Sequence, residues 1–257
     1  MLAEQTDTTG ARRADLLRGA LRELGFVVVG LACYLAVGWY AGDRTDQAIS
    51  NALDLIALQE LLGLDWEHTV QDATLAVPGL GGLLAQFYFW GYLPTLIPTV
   101  VWLFLRHPEA YRTARNAVLV SGAVGFTVQA LYPLAPPWIA GDGFLDTVGG
   151  ASVETVARPG GLANSLAAMP SFHCGWLILV GVVVFRVTRS HVARTLCLVH
   201  PALMCLTVVA TGNHWVLDIP AGVAIAVLGL LVARHLDRNR GRAAPGPLSR
   251  HPSPASG

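Results

Sequence analysis

The stretch LLAQFYFWGYLPTLIPTVVWLFL, residues 83–105, has no charged side chain. A helix of about 20 predominantly apolar residues crosses the hydrocarbon core of a bilayer, so this stretch predicts a transmembrane helix. The stretch LGFVVVGLACYLAVGWYAG, residues 24–42, predicts a second one. Four more apolar segments, with less sharply defined ends, bring the predicted spans to six: residues 116–133, 170–187, 195–211 and 215–233.

The composition is that of a membrane protein built from helices. Of the 257 residues, 53% are hydrophobic and 13% are charged, whereas soluble domains carry about 25% charged residues. The mean hydropathy is +0.51. We therefore expect an all-α, polytopic membrane protein with six transmembrane helices. The formal net charge of zero does not suggest a nucleic-acid partner.

The arginines predict how the protein is oriented. All 17 basic residues are arginine, and with six spans all but Arg44 and Arg158 fall on the side that holds both termini. Basic residues near helix ends stay cytoplasmic, so we expect a cell-membrane protein with both termini in the cytoplasm. The expected organisation is a flexible N-terminus at residues 1–22, a six-helix membrane domain at 23–235, and a disordered tail, rich in Pro, Gly and Ser, at 236–257.

A long extracytoplasmic segment, residues 43–82, follows the first predicted span. It contains AISNALDLIALQELLGL, in which Ile49, Leu53 and Ile56 recur at helical spacing. This pattern predicts an amphipathic helix that lies on the membrane surface. The acidic residues of the segment, Glu67 among them, are expected to form a solvated face.

Three polar stretches meet at the extracytoplasmic ends of the predicted spans. The third span ends in LYPLAPPW, residues 131–138, and the fourth begins at MPSFH, residues 169–173. The fifth and sixth are joined by TGNHWVLD, residues 211–218. Because successive spans alternate in direction, all three stretches lie at one membrane depth. A carboxylate in a membrane helix is costly and usually marks function, so we expect a functional site here.

Two histidines and one carboxylate in these stretches suit phosphoryl transfer. His214 and Asp218 are four residues apart at a helix start, so they lie on one face. The carboxylate can therefore fix the tautomer of the imidazole. His173 follows Ser171 at another helix start, where backbone N–H groups favour an anion. One histidine could attack phosphorus while the other protonates the leaving oxygen.

The tetrapeptide PSFH at residues 170–173 and the pair His214-x3-Asp218 resemble motifs of the type-2 phosphatidic acid phosphatase superfamily, P-S-G-H and S-R-x5-H-x3-D. The phenylalanine in place of glycine, together with YPLAPPW at residues 132–138, is more similar to the branch of the inositol phosphorylceramide synthases. The resemblance covers roughly residues 83–233. It implies an integral membrane lipid phosphatase or phosphotransferase that acts on a lipid phosphate or phospholipid at the outer leaflet. The acceptor would be water or an alcohol such as inositol.

The resemblance also implies a role for each polar residue. His214 would be the nucleophile that forms a phosphohistidine, Asp218 would orient it, and His173 would be the general acid. No metal ion and no organic cofactor are implied.

The chain departs from the superfamily in the residues that bind phosphate. The first motif, K-x6-R-P, is missing, and Thr207 and Val208 stand at the serine and arginine positions of the S-R-x5-H-x3-D motif. We expect Arg158 to neutralise phosphate charge instead. Three further residues are expected to contact the substrate: Ser171, Asn213 and Tyr132.

Three other interpretations stay open at this point. The histidines and Asp218 could form a proton relay in a non-enzymatic transporter, which would predict ionisable residues at mid-depth in several spans; none is seen there. The chain could be an inactive member of the superfamily. Two histidines and one carboxylate could also bind zinc, although the resemblance implies no metal.

Overall fold

The computed structural model describes residues 2–141, 143–149 and 165–243. In this part of the chain all regular structure is helical, apart from a single bridge between Leu134 and Ala167. The helices of the described residues are, in chain order, α1 (Leu2–Gly42), α2 (Thr45–Leu62), α3 (Glu67–Leu75), α4 (Leu80–Trp90), α5 (Leu93–Arg106), α6 (Pro108–Leu131), α7 (Pro137–Ala140), α8 (Phe172–Val187), α9 (His191–Ala210) and α10 (Asp218–Ala243).

Four segments of the described chain are long and apolar enough to cross a membrane. They are Leu17–Gly42, Leu80–Arg106, His191–Ala210 and Asp218–Asn239. The all-α, multi-span architecture expected from the sequence is therefore present. The segment Leu80–Arg106 is divided between α4 and α5 at Gly91 and Tyr92.

The two remaining predicted spans correspond to α6 and α8. Helix α6 has 24 residues, which is about 36 Å of helix, but its first turns carry Arg112 and Arg115. Helix α8 has 16 residues, about 24 Å, and is shorter than the ~30 Å hydrocarbon core. By length and apolar composition, four of the six predicted spans are therefore found in the described residues.

Helices α6, α8, α9 and α10 form the main core of the protein. Its fully buried members include Leu179, Met204 and Val208. Helices α8 and α10 approach each other through two glycines. A Cβ atom on Gly175 would overlap the carbonyl oxygen of Gly222, and one on Gly222 would overlap that of Ser171. The absence of side chains at these positions brings the starts of α8 and α10 into direct contact.

The helix predicted within residues 43–82 is present as α2. It buries small and apolar residues, including Ala52 and Leu55, in a second core that also contains Leu134 and Trp215. Leu53, predicted to belong to the apolar face, is instead 51% exposed. Helix α2 therefore packs over the end of the bundle that holds the polar stretches.

The predicted terminal segments are only partly described. Residues 2–22 belong to α1 and residues 236–243 to α10. Residues 244–257 and the predicted phosphate-binding Arg158 lie outside the described residues.

Candidate active site

His214 and Asp218 form a buried pair at the start of α10. The Nδ1 atom of His214 lies 3.1 Å from Oδ2 of Asp218, and the same oxygen accepts a hydrogen bond of 2.8 Å from the backbone N–H of Trp215. His214 is 5% exposed and Asp218 is fully buried. With Nδ1–H donating to the carboxylate, Nε2 keeps the lone pair that a nucleophile requires.

The turn that carries His214 is fixed by backbone hydrogen bonds. The amides of Asn213 and His214 both donate to the carbonyl oxygen of Val208, at 3.0 Å each. Gly212 adopts a φ of +71°, a conformation that favours glycine. The indole of Trp215 donates to the carbonyl oxygen of Ala135 at 2.8 Å. This last bond ties the turn to the LYPLAPPW stretch of residues 131–138.

The start of α8 is held against the start of α10. The backbone N–H of Ser171 donates to the carbonyl oxygen of Asp218 at 3.1 Å. The Ser171 hydroxyl oxygen accepts a hydrogen bond of 3.4 Å from the backbone N–H of Cys174 and caps the helix. Ser171 is fully buried. Its first structural role is therefore to fix where α8 begins, which in turn places His173.

His173 lies beside His214 and between two tyrosines. The centroids of the two imidazole rings are 5.6 Å apart, with an angle of 66° between their planes. The His173 ring also lies 4.1 Å from the ring of Tyr92 and 4.5 Å from that of Tyr88. The structure thus brings together the three residues that were predicted to be catalytic, although they belong to stretches 41 residues apart in the chain.

The two tyrosines were not predicted from the sequence. Tyr88 lies in the last turn of α4, and Tyr92, four residues later, lies at the break between α4 and α5. Their spacing in FYFWGY was the available signal, but aromatic residues near the end of a span are also typical of interface anchors. Only the packing of α4 beside the start of α8 shows that these rings flank a histidine.

Glu67 and Gln59 hold the turn from the other side. Oε1 of Glu67 accepts hydrogen bonds of 2.7 Å from the backbone N–H of Val216 and from Nε2 of Gln59. Oε1 of Gln59 accepts one of 3.0 Å from the backbone N–H of Leu217. Glu67 is 3% exposed, so the prediction that it belongs to a solvated face was wrong. A carboxylate at a helix start is favoured by the unpaired N–H groups there.

Two of the predicted substrate-binding residues make hydrogen bonds within the protein. The amide nitrogen of Asn213 donates to the hydroxyl and the carbonyl oxygen of Thr211, at 2.9 and 3.2 Å. The Tyr132 hydroxyl donates to the carbonyl oxygen of Asn51 at 3.2 Å and so connects the end of α6 to α2. The structure therefore places Asn213 next to His214, and Tyr132 at the contact with α2.

Arg44, the other arginine predicted at the same end as Arg158, forms hydrogen bonds within the protein. Arg44 donates from Nη1 to the carbonyl oxygen of Ala130 at 2.6 Å, and from Nε and Nη2 to Gln47. In the described part of the chain, no group of three or more His, Cys, Asp or Glu side chains is arranged to hold a metal ion. Oδ1 of Asp218 is buried without a hydrogen-bond partner among these residues.

The comparison with protein families agrees with this geometry. A sequence profile described as the PAP2 superfamily matches residues 53–232, well over half of the chain. The chain belongs to the PAP2 superfamily. The matched range contains both PSFH at residues 170–173 and the His214–Asp218 pair. The resemblance seen in the sequence is thereby confirmed at the level of the superfamily.

One solved structure supports the fold of this PAP2 superfamily member. The crystal structure of LpxE from Aquifex aeolicus is similar with a TM-score of 0.52 and 16% sequence identity. The likeness covers 67% of this chain and 94% of the LpxE chain. At this identity it supports the fold alone. A search of curated proteins gave no significant match.

Proposed function

We propose that this protein is an integral membrane lipid phosphatase or phosphotransferase that works through a phosphohistidine on His214. The proposal rests on the buried contact of 3.1 Å between Nδ1 of His214 and Oδ2 of Asp218. The ring centroid of His173 lies 5.6 Å from that of His214. Membership of the PAP2 superfamily supports the same reaction class.

The proposed reaction has two steps. Nε2 of His214 attacks the phosphorus of a lipid phosphate or phospho-headgroup, the bond from phosphorus to the leaving oxygen breaks, and protonated His173 gives its proton to that oxygen. His173, now neutral, then removes a proton from water or an alcohol as its oxygen attacks phosphorus. The phosphorus–nitrogen bond breaks, and both histidines return to their initial states. Asp218 keeps His214 in one tautomer and orientation throughout.

The phosphate contacts follow from the same assignment. In the proposed site Arg158 neutralises phosphate charge, Ser171 and Asn213 donate hydrogen bonds, and Tyr132 forms part of the wall. Tyr88 and Tyr92 add an aromatic wall beside His173 and shield its ring from bulk water. The proposed cycle uses no metal ion or cofactor.

The proposed arrangement in the membrane has six spans. Helices α6 and α8 join the four segments of sufficient length and apolarity, since both pack against α10 in the core of the bundle. The arginine distribution supports an orientation with both termini in the cytoplasm and the histidines at the outer leaflet. Helix α2, which covers this end of the bundle, lies along the outer membrane surface.

The acceptor is proposed from the motif variant. Phe172 and the YPLAPPW stretch at residues 132–138 resemble the inositol phosphorylceramide synthase branch, so an alcohol such as inositol is a proposed acceptor beside water. The ring of Phe172 stacks on Trp176 at 4.5 Å and fills space next to Gly125. The phenylalanine therefore has a packing role in addition to marking the branch.

A product assay on the detergent-purified protein tests the proposal. Lipid phosphates and phospholipids are supplied with and without inositol, and the products of wild type, His214→Ala and His191→Ala are compared by mass spectrometry. His191 is a matched control because it is exposed at the start of α9, away from the site. Phosphate release that requires His214 indicates a phosphatase, and a new phosphodiester that requires inositol indicates a transferase. Equal turnover in His214→Ala and wild type rules the proposed mechanism out.

A further inference from the structure

A second polar feature lies at the end of the bundle opposite the histidines. The start of α6 and the ends of α8 and α10 surround a cleft of about 320 Å³. Three arginines, Arg186, Arg234 and Arg238, line it together with Ala110, Val183 and Val187. We call this feature the arginine cleft. It combines a strongly basic rim with an apolar floor.

The positive charge of the arginine cleft is not balanced by the side chains that the structure describes. Its single acidic residue, Asp237, accepts a hydrogen bond of 2.6 Å from the Thr113 hydroxyl and lies 3.8 Å from Nε of Arg112, both on α6. Arg186, Arg234 and Arg238 make no hydrogen bond or ion pair with a described residue. Three like charges around one cleft repel each other, and an anion bound between them would relieve this repulsion.

The shape and chemistry of the cleft select one kind of anion. Arginine presents a planar fork of donors that matches the oxygens of a phosphate. The valine and alanine floor suits an apolar group attached to that phosphate, and the cleft lies near the ends of α8 and α10. Basic pockets between spanning helices on the cytoplasmic side are suited to anionic lipid headgroups. A small hydrated anion would leave the apolar floor without a partner.

We propose that the arginine cleft binds the headgroup of an anionic phospholipid in the cytoplasmic leaflet. The phosphate lies between Arg186, Arg234 and Arg238, and the glycerol and first acyl carbons lie on Ala110, Val183 and Val187. This lipid is a bound ligand and not the substrate, because the cleft and the histidines lie at opposite ends of α8 and α10. The proposal does not depend on the proposed chemistry at His214, but it rests on the proposed orientation with both termini in the cytoplasm.

Lipid nanodiscs provide the test. Wild type, the double variant Arg234→Gln/Arg238→Gln and the control double variant Arg106→Gln/Arg189→Gln are placed in phosphatidylcholine nanodiscs with or without phosphatidylglycerol. The controls remove the same charge at the same end of the bundle, but neither arginine lines the cleft. Thermal stability is measured in each nanodisc, and phospholipid retained after detergent extraction is measured by native mass spectrometry. A separate arm adds inorganic phosphate to the phosphatidylcholine nanodiscs.

The expected result separates the two double variants. Phosphatidylglycerol raises the Tm of wild type and of the control variant, and both retain it. The cleft variant melts as wild type does in phosphatidylcholine alone, and phosphatidylglycerol does not raise its Tm. It retains on the order of tenfold less phosphatidylglycerol, because each arginine near the membrane surface adds to the attraction of an anionic lipid and two of them are removed. The proposal is overturned if both double variants retain as much phosphatidylglycerol as wild type, or if both lose it to the same extent. A Tm rise with inorganic phosphate as large as that with phosphatidylglycerol assigns the cleft to a soluble anion and also overturns it. If the cleft variant does not fold, the same comparison is made with Arg186→Gln and Arg189→Gln.

Discussion

Glu67 and Val216 are joined by a hydrogen bond of 2.7 Å although 149 residues separate them in the chain. The acceptor is a nearly fully buried carboxylate on α3, and the donor is a backbone N–H two residues after His214. The turn that carries the proposed nucleophile is thus held by a helix from the segment of residues 43–82. This contact predicts that residues outside the superfamily motifs control the site.

Replacing Glu67 should destabilise the protein and misplace His214. Glu67→Ala leaves the Val216 N–H and the Gln59 amide without their acceptor. Each buried donor left unpaired costs about 1–3 kcal/mol. We expect a lower Tm in detergent and a lower kcat. Glu60→Ala, an exposed position on the neighbouring helix α2, should change neither. A Tm for Glu67→Ala equal to that of the control would contradict the role of this bond.

Replacing Asp218 should reduce turnover without abolishing it. In Asp218→Asn the side chain can still accept one hydrogen bond, but it no longer favours His214 with the proton on Nδ1. We expect kcat to fall on the order of a hundredfold or more, with residual activity, because attack survives with poorer orientation. Asp72→Asn, an exposed carboxylate on α3, serves as the control. Full activity in Asp218→Asn would show that the carboxylate does not orient the nucleophile.

Adding a methyl group at Gly222 should separate α8 from α10. The Cβ atom of Gly222→Ala would overlap the carbonyl oxygen of Ser171, which lies in backbone rather than in a movable side chain. Such overpacking costs about 1–3 kcal/mol. We expect a lower Tm and a loss of activity, since the starts of both helices carry the site. Gly82→Ala, where a Cβ meets nothing within 4 Å, should be tolerated. Similar Tm values for the two variants would argue against close contact between α8 and α10.

The aromatic wall beside His173 should depend on the ring of Tyr92 and not on its hydroxyl. The two rings are 4.1 Å apart, and pairs of this kind contribute about 0.5–1.5 kcal/mol. We expect Tyr92→Phe to keep most of the activity and Tyr92→Ala to lose roughly tenfold in kcat/KM. The measurement is kcat/KM for both variants with one substrate. If Tyr92→Phe lost as much as Tyr92→Ala, the hydroxyl would have a direct chemical role.

The helical, membrane-spanning character and the three central residues were determined by the sequence. Residues 83–105 and 24–42 are apolar over the length of a span, and hydrophobicity of this kind depends on each residue alone. His214 and Asp218 meet because a spacing of four places them on one helical face, which is a local property of the chain. His173 was expected at the same end because successive predicted spans alternate in direction, and its ring centroid lies 5.6 Å from that of His214.

Only the tertiary structure decided which other groups surround the histidines. Glu67 is buried because the backbone N–H groups of Val216 and Leu217 need acceptors that α2 and α3 supply. Tyr92 flanks His173 because α4 ends beside the start of α8, and an aromatic residue near a span end has no local pattern that distinguishes this role. The hydroxyl of Tyr132 donates to the carbonyl oxygen of Asn51, a contact with α2 that the sequence does not indicate. Periodicity records which face of a helix is apolar, whereas hydrogen bonds between residues far apart in the chain depend on how the helices pack.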